Sequence, residues 1–266
     1  MARRDTAPRK DNAETLDLTG RRSGYLALAT KPLHILAFLV PLIALFEWGA
    51  LTYLTGDCGE RQTVLAQRML EDLFTALGVT GVHMPAVLTV VVLLVWHLMT
   101  RDRWRVKPMV VLGMWAEAAV WTAPLLVLGV ILARALGVGI EPAAQVPQSV
   151  LENAALGERL TIAVGAGLYE ELLFRLLGIT LCMLLFEDAL RLGKKWAIAL
   201  SLIVTSVAFA WYHHPVLAGG GVDWALAVYY TLAGAYFGLV FVSRGFGIAV
   251  GVHALYDLVV LIDPLG

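Results

Sequence analysis

Residues Thr161–Phe186 read TIAVGAGLYEELLFRLLGITLCMLLF, an apolar block that carries Glu170, Glu171 and Arg175 near its middle. A spanning helix needs about 20 mostly apolar residues, and this block is long enough. Ionisable groups at that depth cost roughly 2.5–3.5 kcal/mol each on an insertion scale, so they face the bundle interior and find partners. Glu171 and Arg175 stand at i and i+4, one above the other, and can pair. Glu170 is rotated away from them, toward the face of Gly167 and Phe174. The spacing therefore predicts one neutralised carboxylate and one free carboxylate. Burial disfavours the charged form of a free carboxylate and a nearby imidazole restores it, a balance that suits a general base.

Working outward, six further apolar blocks accompany this one, near Pro32–Leu54, Val82–Thr100, Leu112–Val138, Trp196–Pro215, Trp224–Ser243 and Phe246–Ile262. The 266-residue chain is 59% hydrophobic and 15% charged, against roughly half and a quarter in soluble domains. These features predict an all-α, polytopic transmembrane helical bundle of about seven spans. Val64, Leu65, Met69, Leu70, Leu73, Phe74 and Leu77 recur at helical spacing beside Arg61, Arg68, Glu71 and Asp72. They predict an amphipathic helix on the membrane surface, with a core helix of a small soluble cap as the alternative.

Three regions follow: a polar cytoplasmic tail (1–31), an N-terminal transmembrane region with the surface helix (32–150), and a transmembrane core that carries the buried charges (151–266). The tail is no cleavable signal peptide, because no short apolar region with a small-residue cleavage site follows its basic residues. With the N-terminus inside, fifteen of the twenty Lys and Arg residues fall on the cytoplasmic side. Only Arg61, Arg68, Arg134 and Arg159 then lie outside, so the charge asymmetry predicts N-in, C-out. A net charge of -1 with no basic stripe gives nucleic acid no footprint. Cys58 and Cys182 have neither metal-type spacing nor the look of a disulfide framework.

Two more apolar blocks carry charge-bearing groups. One ends in Phe209-Ala-Trp-Tyr-His213-His214-Pro215, with His213 one turn beyond Phe209. The other holds His253-Ala-Leu-Tyr-Asp257, where a carboxylate one turn from an imidazole can fix its tautomer. Three helices thus offer polar faces that lipid rejects, and packing them together satisfies all three. Glu47 and Glu117 read as inter-helix hydrogen-bonding groups. His34, His83 and His97 fall near block ends, where solvent can reach them, and His214 reads as interfacial. Gly219-Gly220-Gly221 makes the loop after His214 flexible by composition, either a gate for substrate or an ordinary turn.

Glu170-Glu171-Leu-Leu-Phe-Arg175 resembles the EExxxR motif of the CAAX-protease and bacteriocin-processing (CPBP, or Abi) intramembrane endopeptidases. Phe209-Ala-Trp-Tyr-His213 resembles the family's FxxxH, and His253-Ala-Leu-Tyr-Asp257 its HxxxN/D. Tyr236-Phe237-Gly238 takes the place of the small-residue segment between them. The matching region runs from about Thr161 to Ile262, and the first 150 residues carry no family signature.

The resemblance implies an intramembrane endopeptidase of a bacterial cytoplasmic membrane, acting on a membrane-anchored protein or peptide. Candidate substrates are a C-terminal sorting signal, a prenylated protein or a bacteriocin-type peptide. It implies that Glu170, assisted by His213, activates water, and that His253 and Asp257 stabilise the oxyanion. Glu171, Arg175 and Phe209 are implied as support. An ionised Asp257 cannot donate where many members have Asn, so Asp257 is either protonated or only orients His253. No cofactor is expected. Zinc on Glu170, His213 and His253 is the alternative, although the HExxH arrangement is absent. Two other function classes remain: a non-catalytic immunity or binding protein of the same fold, and a proton-coupled transporter built on a carboxylate–histidine relay.

Overall fold

The computed structural model describes residues 24–54, 64–81, 83–136, 154–217 and 219–262. Nine labelled helices make it up: α1 (Tyr25–Ala29), α2 (Pro32–Tyr53), α3 (Leu65–Ala76), α4 (Met84–Thr100), α5 (Pro108–Leu136), α6 (Leu156–Glu170), α7 (Lys194–Tyr212), α8 (Trp224–Arg244) and α9 (Phe246–Ile262). From α6 the chain runs on without a break through a π-helical segment, Glu171–Ile179, an α-turn, Thr180–Met183, and a second π-helical segment, Leu184–Ala189. No strand occurs among the described residues, only one isolated bridge between Val216 and Val222.

Seven apolar helical runs stand where seven blocks are expected. By length and composition, four helices can cross a membrane: Pro32–Tyr53, Pro108–Leu132, Lys194–Tyr212 and Trp224–Arg244. Met84–Thr100 and Phe246–Ile262 are shorter apolar helices of 17 residues, about the lower limit for a span. The Thr161–Phe186 block lies within the continuous rod that starts at α6. Large apolar side chains cover the outside of the bundle, among them Trp48, Met99, Met109, Val120, Leu181, Trp196 and Trp224, all exposed. Water would penalise that surface and lipid does not.

α6 and α9 form the centre. A Cβ on Gly167 would stand 2.5 Å from the Ala254 backbone nitrogen and 2.8 Å from its Cα, so only glycine lets the two backbones approach so closely. On α6's other side, a Cβ on Gly165 would meet the Phe46 ring of α2 at 2.3 Å. Every α6 residue from Thr161 to Glu170 is buried. Arg159 Nη1 donates to Leu261 O at 2.8 Å, pinning the start of α6 to the end of α9. The acidic residues expected to bridge helices do so. Glu117 accepts from Tyr25 Oη (2.5 Å) and Arg244 Nη2 (2.9 Å), joining α1, α5 and α8. Glu47 accepts from Tyr169 Oη (3.3 Å) and pairs with His83.

Two expectations need correction. His34 and His97 are not solvated: they are 3% and 1% exposed, because the chain after α4 folds back over them. Lys107 N–H donates to His34 Nε2 at 3.2 Å, and His97 meets the Trp104 ring edge-on at 4.5 Å. The apolar face of α3 is also turned onto protein, with Ala66, Leu70 and Phe74 buried against the bundle and Gln67 among them. Its Met69, Leu73 and Leu77 remain exposed and keep a second apolar strip for the surroundings. His83 and His214 are exposed, as expected.

The segment after His214 is a short ordered turn. Asp223 N–H donates to Pro215 O at 2.8 Å and Leu217 N–H to Gly221 O at 3.0 Å. Gly220 and Gly221 take φ of 84° and 94°, open to glycine without strain. Asp223 then caps α8, its Oδ1 accepting from Ala225 N and Leu226 N. Cys182 is a half-buried free thiol, and Cys58 lies outside the described residues, as do most of the polar tail and residues 137–153.

Candidate active site

Glu170 closes α6 and Glu171 opens the π-helical segment, so a change in helical pitch falls between the two carboxylates. Widened turns of this kind are frequent at functional sites. Here the widening lets the carboxylates serve different neighbours. Both are completely buried, together with His253 and Asp257, while Arg175 is 1% and His213 5% exposed.

Glu171 anchors the charged side of the cluster. Its Oε1 lies 3.1 Å from Arg175 Nη1, the i,i+4 pair expected from the sequence. The same oxygen lies 2.8 Å from His253 Nδ1 on α9. A carboxylate paired with arginine accepts, so His253 Nδ1 carries the proton. Arg175 Nη2 donates to Gly234 O of α8 at 3.0 Å. Its guanidinium lies 4.5 Å over the Phe209 ring and 5.3 Å over the Phe237 ring, an aromatic setting that favours a cation. Phe209 thus packs beside the site as the sequence suggests.

Glu170 faces the histidines. Its Oε2 is 3.8 Å from His213 Nε2 and 3.8 Å from His253 Nε2. These separations exceed a direct hydrogen bond, yet one oxygen atom placed between such groups can reach both. Neither Glu170 Oε2 nor His253 Nε2 has a hydrogen-bond partner among the described residues, an expensive condition for buried polar atoms. His213, at the end of α7, directs Nδ1 to Phe209 O at 2.7 Å. A carbonyl only accepts, so Nδ1–H is the donor and Nε2 is the nitrogen left facing Glu170.

Asp257 Oδ2 lies 3.7 Å from His253 Nε2. The carboxylate within hydrogen-bond distance of the His253 ring is Glu171, not Asp257. Phe237 stacks on His253 at 4.2 Å and 15°, and Tyr230 stacks on His213 at 4.2 Å and 21°. Each imidazole is thereby fixed by one Nδ1 bond and one aromatic face.

All seven residues singled out from the sequence therefore meet in one place. Sequence reasoning missed the aromatic partners Tyr230 and Tyr212, and the grip of Glu171 on His253. Hydroxyls in an otherwise apolar span were the available signal, since Tyr229, Tyr230 and Tyr256 each bring a polar atom into buried helix. Among the described residues, no group of three His, Cys, Asp or Glu side chains is disposed to hold a metal ion.

The fold and the buried centre define a class: an integral membrane helical bundle whose core gathers three carboxylates, a guanidinium and two imidazoles. Residues 153–259, which contain every one of these groups, match the family model described as Type II CAAX prenyl endopeptidase Rce1-like. Over this segment the chain is similar to the CAAX-protease family. No curated protein and no solved structure matches the chain.

Proposed function

We propose that the chain is an intramembrane endopeptidase that hydrolyses a peptide bond in a membrane-anchored protein or peptide. The observation that carries this reading is the placement of Glu170 Oε2 at 3.8 Å from two imidazole nitrogens of separate helices. Glu170 takes a proton from a water held between it and His213, whose Nε2 is directed there by the Nδ1 bond to Phe209. The hydroxide attacks the peptide carbonyl, and Glu170 then returns the proton to the leaving amine. His253 stabilises the tetrahedral oxyanion. For Nε2 to donate, the ring must hold two protons, and Glu171 at Nδ1 with Asp257 beside Nε2 supplies the compensating negative charge. One such donor is worth roughly 3–4 kcal/mol in the transition state. Asp257 in this scheme balances charge rather than donating.

In the N-in orientation favoured by the Lys/Arg distribution, His213 lies toward the extracytoplasmic end of α7, and substrate enters from that side. A peptide tethered at the outer leaflet, such as a C-terminal sorting helix, fits this opening better than a cytoplasmic prenylated tail.

The test is cleavage by the purified protein in liposomes, with membrane-anchored peptides presented on either face and one prenylated peptide as a comparison. Cleavage of an outward-facing peptide is expected, unchanged by chelators and reduced about 10²-fold or more in His213→Ala. Cleavage that a chelator abolishes and zinc restores would overturn the metal-free mechanism, and failure on every peptide would overturn the protease reading.

A further inference from the structure

Tyr212 precedes His213 at the end of α7 and is not part of the scheme above. Its hydroxyl donates to Glu170 Oε1 at 3.2 Å, on the carboxylate oxygen that does not face the histidines. The ring is held edge-on by Phe174 (5.2 Å) and by His213 (5.0 Å), and is buried.

We propose that Tyr212 is a positioning residue for the hydrolysis proposed above, setting the carboxylate plane of Glu170. The inference rests on that reading. A glutamate side chain can rotate its two oxygens past one another, and a general base works only with one of them aimed at the water. The single Tyr212 proton occupies Oε1, which leaves Oε2 directed at His213 Nε2 and His253 Nε2.

The test is Tyr212→Phe in the full chain, reconstituted in liposomes with a peptide that the wild type cleaves. Phenylalanine keeps the ring and its packing and removes only the hydroxyl. A hydrogen bond to a charged group is lost, so kcat is expected to fall about tenfold with KM within about twofold of wild type. The second readout needs no turnover: the infrared band of the Glu170 carboxyl, identified by its loss in Glu170→Gln, should shift when the phenol is removed. An unchanged band and unchanged kcat would overturn the proposal. If Glu170→Gln abolishes cleavage while Tyr212→Phe changes neither readout, only the role of Tyr212 falls. If Glu170→Gln cleaves like wild type, the Glu170-based hydrolysis falls, and the band still decides whether Tyr212 holds Glu170.

Discussion

Replacing Glu170 by glutamine is expected to lower peptide cleavage by about 10³-fold or more while leaving the fold intact. General acid–base groups contribute roughly 10²–10⁴-fold, and here a single carboxylate is asked both to take the water proton and to pass it to the leaving group. Glutamine is nearly isosteric, and Tyr212 can still donate to its amide oxygen, so packing at 0% exposure is preserved. The amide has no basic oxygen to offer. Thermal unfolding of the variant in detergent should match wild type within a few degrees, and a progress curve measures the loss of cleavage. A variant that folds and still cleaves would remove Glu170 from the mechanism.

Arg175→Met is expected to have the largest effect on stability. Removing one member of a buried ion pair costs about 3–5 kcal/mol, because the other charge is left without compensation. Arg175 is 1% exposed, lies 3.1 Å from Glu171, bonds Gly234 O and is enclosed by Phe209 and Phe237. Its loss strands Glu171 and loosens the join between the π-helical segment and α8. The double variant Arg175→Met with Glu171→Gln should recover part of the stability, since the stranded charge goes too. It should not recover cleavage, because Glu171 also fixes the His253 ring at 2.8 Å. Thermal denaturation of both variants in the same detergent checks the first statement, and the cleavage assay checks the second.

Much of the bundle and its centre was legible in the sequence because charge inside an apolar block is costly. That cost marked Glu170, Glu171, Arg175, His253 and Asp257 as inward-facing, and the i,i+4 spacing gave the Glu171–Arg175 pair. The same argument identified Glu47 and Glu117 as bridges between helices. Contacts across helices were not legible, because they depend on the rotation of each helix about its own axis. Asp257 shares a helix with His253, so spacing favoured it as the orienting carboxylate. The close approach of α6 and α9 at Gly167 instead brings Glu171 to the ring. The π-helical segment has no periodicity signal strong enough to be read over nine residues. His97 looked solvated because it lies near a block end, yet the chain that follows covers it. α3 was legible as amphipathic, but the pattern does not say whether its apolar face meets lipid or protein.

The account turns on water, activated by Glu170 within a helical bundle, as the nucleophile. Cleavage of a membrane-anchored peptide by the wild-type protein in ¹⁸O-enriched water, read by mass spectrometry of both fragments, tests this most directly. One ¹⁸O atom at the new C-terminal carboxyl, and none on the fragment that bears the new N-terminus, is the expected result. A new C-terminus without the label, or capped by another group, would contradict the account.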